Sequence, residues 1–205
     1  MEPLSGKELE QQAKRTMDEH NTLIRELSAS DAHPPQEESD EPLLANRTKL
    51  EDFFARAVNI NQRLFDLSKE ARRQNDRALE LTLNVYVTVF GSTVQVLKML
   101  VDAAKRSVNQ VCRTRLIELE NASKAYSISA KTRDKDLEYY RRMHVAYRGA
   151  RAAFFRLAGA VVEDLEAEDP KKGATLREEL HDIMTTHLDA WDDFDEWSEA
   201  HPPSQ

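Results

Sequence analysis

The stretch LNVYVTVFGSTVQVLKMLVDAAKRSVNQV, Leu83–Val111, decides the fold. Within it Leu83, Val87, Phe90, Val94, Leu97, Val101, Ala104, Val108 and Val111 recur at alternating steps of four and three. A helix turns once every ~3.6 residues, so such a series lines one stripe of a helix, the seam of a coiled coil or bundle. A rival reading competes over its start. Leu81-Thr82-Leu83-Asn84-Val85-Tyr86-Val87-Thr88-Val89 alternates with period two and is rich in β-branched residues, and Gly91-Ser92 suits a hairpin turn. The polar residues choose between the two. Asn84, Thr88, Gly91, Gln95, Lys98, Asp102 and Lys105 also follow steps of four and three, which a strand does not produce. The stretch is read as helix, with Gly91 the place for a kink.

Outward from this stretch the helix meets few stops. No proline lies between Pro42 and Pro170, and the only glycines there are Gly91, Gly149 and Gly159. These residue types punctuate chains into turns, so long elements are expected. A main helix is predicted over about 46–126, capped by Asn46. Its early seam is Leu50, Phe54, Ala57, Asn61, Leu64, Ser68 and Ala71, and a stutter falls near Leu79–Leu83. The pattern lapses near Ser127–Asp134, where a turn is placed. A helix over about 133–168 follows, with Leu137, Tyr140, Met143, Tyr147, Ala150, Phe154, Leu157, Val161 and Leu165 as its seam. Asp169-Pro170-Lys171-Lys172-Gly173 stops it. A last helix is predicted over about 174–198, lined by Leu176, Leu180, Ile183, His187, Phe194 and Trp197.

Residues 1–29 read as an N-terminal amphipathic helix, opened by a Ser5/Glu8 capping box. Its seam of Leu9, Ala13, Thr16, His20, Leu23 and Leu27 has two polar members, so loose docking, or docking in a partner's bundle, is expected. Residues 30–45 read as an acidic mobile linker and 199–205 as a disordered tail. The expected fold is all-α: an elongated antiparallel helical bundle, a coiled-coil-like rod with one very long central helix, over residues 46–198. The third helix is expected to return along the apolar half of the main one, and the fourth to pack on both. Only 40% of residues are hydrophobic and 32% are charged, which suits a thin bundle better than a compact sphere.

Charge is segregated. Net charge is −7 over residues 1–44, +2 over 45–104, +8 over 105–156 and −11 over 157–205. Lys105, Arg106, Arg113, Arg115, Arg141, Arg142, Arg148 and Arg151 in the basic stretch are candidates for meeting an anionic surface, phospholipid before nucleic acid, because no nucleic-acid-binding motif accompanies them. The plainer reading is that the acidic last helix neutralises them. Leu81–Leu97 is free of charge but holds six polar residues and stops at Lys98, so it reads as the buried helix of a bundle rather than a span of roughly 20 apolar residues, with a face packed in the soluble form and offered later to a membrane or partner as the remaining alternative.

Catalytic chemistry is not marked. Five scattered glycines make no phosphate cradle, and one copy of Glu-x-x-His at Glu178–His181 falls short of a di-iron set. No cofactor and no metal are expected. Cys112, the single cysteine, excludes an internal disulfide and reads as packing in a reducing compartment. The first residues lack a basic-then-apolar leader pattern, so the expected location is cytoplasmic, with peripheral membrane attachment as the variant. Asp40-Glu41-Pro42-Leu43-Leu44 resembles the acidic dileucine signals read by vesicle-coat adaptors. Trp191-Asp192-Asp193-Phe194-Asp195 is similar to the acidic tryptophan–phenylalanine motifs that bind adaptor appendage domains, which makes Trp191, Phe194 and Trp197 a candidate partner motif. The expected function is a non-catalytic interaction or scaffold protein. Its heptad seams would self-associate or join other helical subunits. The alternative is a peripheral membrane-binding or membrane-remodelling protein that uses the basic end and is regulated by the acidic C-terminal helix.

Overall fold

A computed structural model of the chain describes residues 4–30 and 40–200, with side chains up to residue 186. The fold is an all-α helical bundle of five helices, with no strand among the described residues: α1 Gly6–Ala29, α2 Asp40–Arg73, α3 Arg77–Ala130, α4 Leu137–Glu168 and α5 Pro170–Ala200. The chain divides into two compact units, Met1–Ala104 and Lys105–Gln205.

The helix expected over 46–126 is two helices. α2 ends in a Schellman motif: the Asp76 amide donates to the Ala71 carbonyl at 2.9 Å and the Asn75 amide to Arg72 at 3.2 Å. Asn75 takes the left-handed conformation, φ 60°, that such an ending needs. Asp76 then caps α3, its carboxylate accepting from the Leu79 amide at 3.0 Å. Asparagine and aspartate thus supply the stop and the start that glycine and proline usually mark. The stutter read at Leu79–Leu83 lies just past this turn. α2 also starts earlier than expected. Asp40–Ala45 are helical, not linker, and Asn46 lies inside the helix rather than at its cap. The rest of the expected linker, 31–39, and tail residues 201–205 lie outside the described residues.

In the first unit α1 and α2 are antiparallel and α1 is firmly seated. Arg56 pairs with Glu26 at 2.7 Å, Arg63 pairs with Glu19, and the Gln74 side-chain amide donates to the Leu4 carbonyl at 2.7 Å. The Ser5/Glu8 capping box forms, and its hydrogen bonds hold the Glu8 carboxyl below its ordinary range. The two polar members of the α1 seam do not interrupt it. Thr16 donates to the Gln12 carbonyl at 2.9 Å, and the His20 ring sits edge-on to Phe90, 4.3 Å between centroids. Leu9, Leu23, Leu64, Leu83, Phe90 and Leu97 share one core. The stripe of α3 that carries Leu83, Phe90 and Leu97 is therefore covered by α1 and α2, not by α4 as expected.

In the second unit α4 returns antiparallel along residues 105–130 of α3. Lys105 pairs with Asp164 at 3.1 Å near one end, and Tyr126 meets Tyr140 near the other. Tyr126 stacks on both Tyr140 and Tyr147, with centroids 5.5 and 5.3 Å away, and its hydroxyl lies 3.0 Å from that of Tyr140. α3 continues through the expected turn to Ala130 because Ser129, fully buried, satisfies its hydroxyl on the Tyr126 carbonyl at 2.7 Å. α4 starts at Leu137, capped by Asp136, which accepts from the Tyr139 amide at 2.9 Å. α5 begins at Pro170, four residues before the expected start. Asp169 stands before it as cap, and proline is at home at a first helical position, where no amide is needed. Arg177 grips Glu166 with two hydrogen bonds, 2.8 and 2.6 Å, which hold that carboxyl below its ordinary range.

Candidate functional site

One face of α3 in the first unit is left uncovered. Leu83, Phe90, Leu97 and Val101 are buried against α1 and α2. At about 100° per residue, the opposite side of the helix carries Leu81, Val85, Val89, Val96 and Met99. These are 55, 61, 61, 55 and 70% exposed. Three of the polar residues between them have partners within the chain. Thr82 donates to the Ala78 carbonyl and Thr88 to the Asn84 carbonyl, each at 2.9 Å. Asn84 accepts from the Ser68 hydroxyl at 2.6 Å. By length and composition α3 includes a window apolar enough to cross a membrane, and 22% of that window is buried. The expectation of an ordinary buried core helix thus holds for one face only. A second apolar series at 81, 85, 89, 96 and 99 was present in the sequence and is the signal that finds this face.

The basic candidates are distributed rather than gathered. Lys105 is engaged by Asp164 and Arg115 by Glu118 at 2.7 Å. Arg151 lies over the Phe155 ring, 5.7 Å from its centroid, and opposes the burial that pushes the Tyr147 hydroxyl up. Arg106 and Arg113 are exposed on the side of α3 opposite Val108, Leu119 and Tyr126. Arg142 is exposed on the side of α4 opposite Tyr140 and Tyr147. Because Tyr126 faces Tyr140 and Tyr147, these arginines point away from each other. Arg148 is exposed and Arg141 half-buried on the flank of α4.

The short motifs fare differently. The dileucine-like segment forms the first turns of α2, with Asp40 and Leu43 buried, so it is not presented as an extended signal. Trp191, Phe194 and Trp197 fall in the helical backbone of α5, their side chains outside the described ones. Glu178 and His181 are both exposed, and among the described residues no three His, Cys, Asp or Glu side chains gather as a metal site would require. Cys112 is a buried free thiol. No protein-family model matches the chain, and no curated protein or solved structure is matched by it.

Proposed function

We propose that this chain is a non-catalytic interaction protein that binds other helices, in its own copies or in partner subunits, through the uncovered face of α3. The observation that carries the reading is the exposed apolar series Leu81, Val85, Val89, Val96 and Met99 along one face, interrupted only by the small Ser92. Single exposed apolar residues are ordinary, whereas a contiguous apolar strip marks a surface that something covers. Covering a side chain that is already half buried contributes about 1 kcal/mol. Five per helix is enough to hold a partner reversibly. The cytoplasm is the proposed location.

The test is the mass in solution by light scattering, together with a pull-down, for the natural chain and for Val85→Lys/Val89→Lys. Both positions are exposed, so the double variant leaves the core intact. The expected result is a species heavier than 23.5 kDa, or a bound helical partner, that the double variant loses. A chain that stays at 23.5 kDa at every concentration and captures nothing overturns the reading.

A second reading, attachment to a membrane surface, draws on the same apolar window and on the exposed cations Arg106, Arg113 and Arg142. In this reading deletion of 174–205 increases co-sedimentation with anionic vesicles. No binding by either chain ends it. The cations' opposed directions make it the weaker of the two.

A further inference from the structure

The uncovered face of α3 has an internal order. Leu81 and Met99 lie equally far on either side of residue 90, and Val85 and Val96 mirror each other about nearly the same point. Thr88 and Ser92 mirror about residue 90 as well, and both are small. Along the edge of the strip Asn84 mirrors Gln95, polar against polar. Arg77 mirrors Asp102, with the charge reversed, and Glu80 mirrors Lys98, again reversed. Arg77, Lys98 and Asp102 are exposed, and none makes an ion pair among the described residues. Glu80 reaches only Arg72, at 4.0 Å.

Resting on the reading above, we infer that the occupant is a second copy of this chain, its α3 laid antiparallel on the first about a two-fold axis at the level of residue 90. In a two-fold interface residue i meets j and j meets i, so a strip that mirrors itself in position fits its own copy. Leu81 then faces Met99 of the second copy, Val85 faces Val96, and Thr88 faces Ser92. Val89, one residue from the axis, then meets Val89 of the second copy, with the small Thr88 and Ser92 beside it and the larger apolar side chains at the ends. Arg77 reaches Asp102 of the second copy twice, once on each side of the axis. A parallel arrangement instead sets Arg77 against Arg77 and Asp102 against Asp102, which like-charge repulsion disfavours. A lipid surface asks for neither the positional mirror nor the reversed charges, and an unrelated helix does not require them.

The test uses the full chain with Cys112→Ala as background. Leu81→Cys and Met99→Cys are made separately, unfolded, mixed, refolded and oxidised. The antiparallel pair gives the mixed 81–99 disulfide in excess over either self-disulfide, and each variant alone cross-links poorly. In parallel, Arg77→Asp weakens dimerisation about tenfold by reversing two exposed pairs, Asp102→Arg does the same, and the two together restore it. Three outcomes overturn the inference and leave the proposed function standing: a dimer that forms only 81–81 and 99–99 disulfides, a dimer indifferent to the charge reversals, and a monomer that holds a different helical protein through the same face. A monomer that holds nothing removes both. A monomer that binds vesicles, and stops on Val85→Lys/Val89→Lys, overturns both in favour of lipid.

Discussion

The two units build their interiors differently and finish their outsides differently. The first has a core dominated by leucine, with Phe90 and Tyr86 both edge-on to the His20 ring of α1, at 4.3 and 5.3 Å between centroids. The second is centred on Tyr126, Tyr140, Tyr147 and His144, whose rings stack or meet edge-on within 5.6 Å. Both interiors are lined by the same α3 seam, at the same period. The back of that helix is where they part. Over 81–99 it is a run of exposed Leu, Val and Met, whereas over 105–130 Ile117 and Ile128, each about 60% exposed, are separated by Lys124 and preceded by Arg106 and Arg113. An inward seam establishes that helices pack. The outward face is where a surface for other molecules is written.

The largest expected contrast sets the front of α3 against its back. Phe90→Ala removes a fully buried ring and costs about 3–5 kcal/mol in urea unfolding followed by circular dichroism. Val89→Ala, one residue away and 61% exposed, stays within about 0.5 kcal/mol in dilute solution. Equal losses would erase the distinction between covered and uncovered faces. Next comes a glycine pair within the second unit. A Cβ on Gly173 would lie 2.6 Å from the Glu166 Cα, so Gly173→Ala pushes α5 from α4 and costs about 1–3 kcal/mol in thermal unfolding. Gly149→Ala meets nothing within 4 Å and gains up to about 1 kcal/mol from helix propensity. If both alanines are neutral, α4 and α5 are not in the close contact described.

A smaller loss is expected in the tyrosine stack. Tyr126→Phe deletes the hydroxyl 3.0 Å from that of Tyr140 and costs about 1 kcal/mol, while Tyr86→Phe in the first unit, where the ring but no tyrosine partner is used, costs less. The smallest effect is a local pH dependence where α4 meets α5. Hydrogen bonds from Arg177 lower the Glu166 carboxyl, and those from Lys172 lower Asp169. A carboxyl lowered in the fold contributes stability above its ordinary range and loses it as pH falls through the lowered value. Acid titration followed by amide resonances should therefore loosen residues 169–177 while the tyrosine stack holds, and Glu166→Gln should remove most of that local change. An acid response at residues 169–177 that is the same in Glu166→Gln would contradict it.

Much of the fold was legible, and the illegible parts have physical reasons. Leu83, Phe90, Leu97, Val101, Ala104 and Val108 are buried as their spacing requires, as are Tyr140, Tyr147, Phe154 and Leu157. The turn at 74–76 escaped because Asn75 takes the left-handed conformation without being glycine and Asp76 starts a helix without proline beside it. Tyr126 was hidden by the serines around it, which looked like a lapse until Ser129 is seen to satisfy itself on the helix backbone. The start of α5 is displaced because Asp-Pro reads as a stop, although aspartate and proline are also the cap and first residue of a helix. The uncovered face escaped for a different reason. The spacing of Leu83–Val111 points to one buried stripe, and α3 carries a second apolar series on its other side.

α3 runs from Arg77 to Ala130 without a turn, and this constrains how a chain of this kind can change its length. Each inserted residue rotates everything downstream by about 100°. One extra residue ahead of Leu83 would swing the covered and uncovered faces out of place together. Seven residues make almost two full turns and return the pattern to within ~20°. Length variants of this molecule should therefore differ inside α3 by sevens, or by elevens, while single-residue changes collect in the segment 131–136 between α3 and α4.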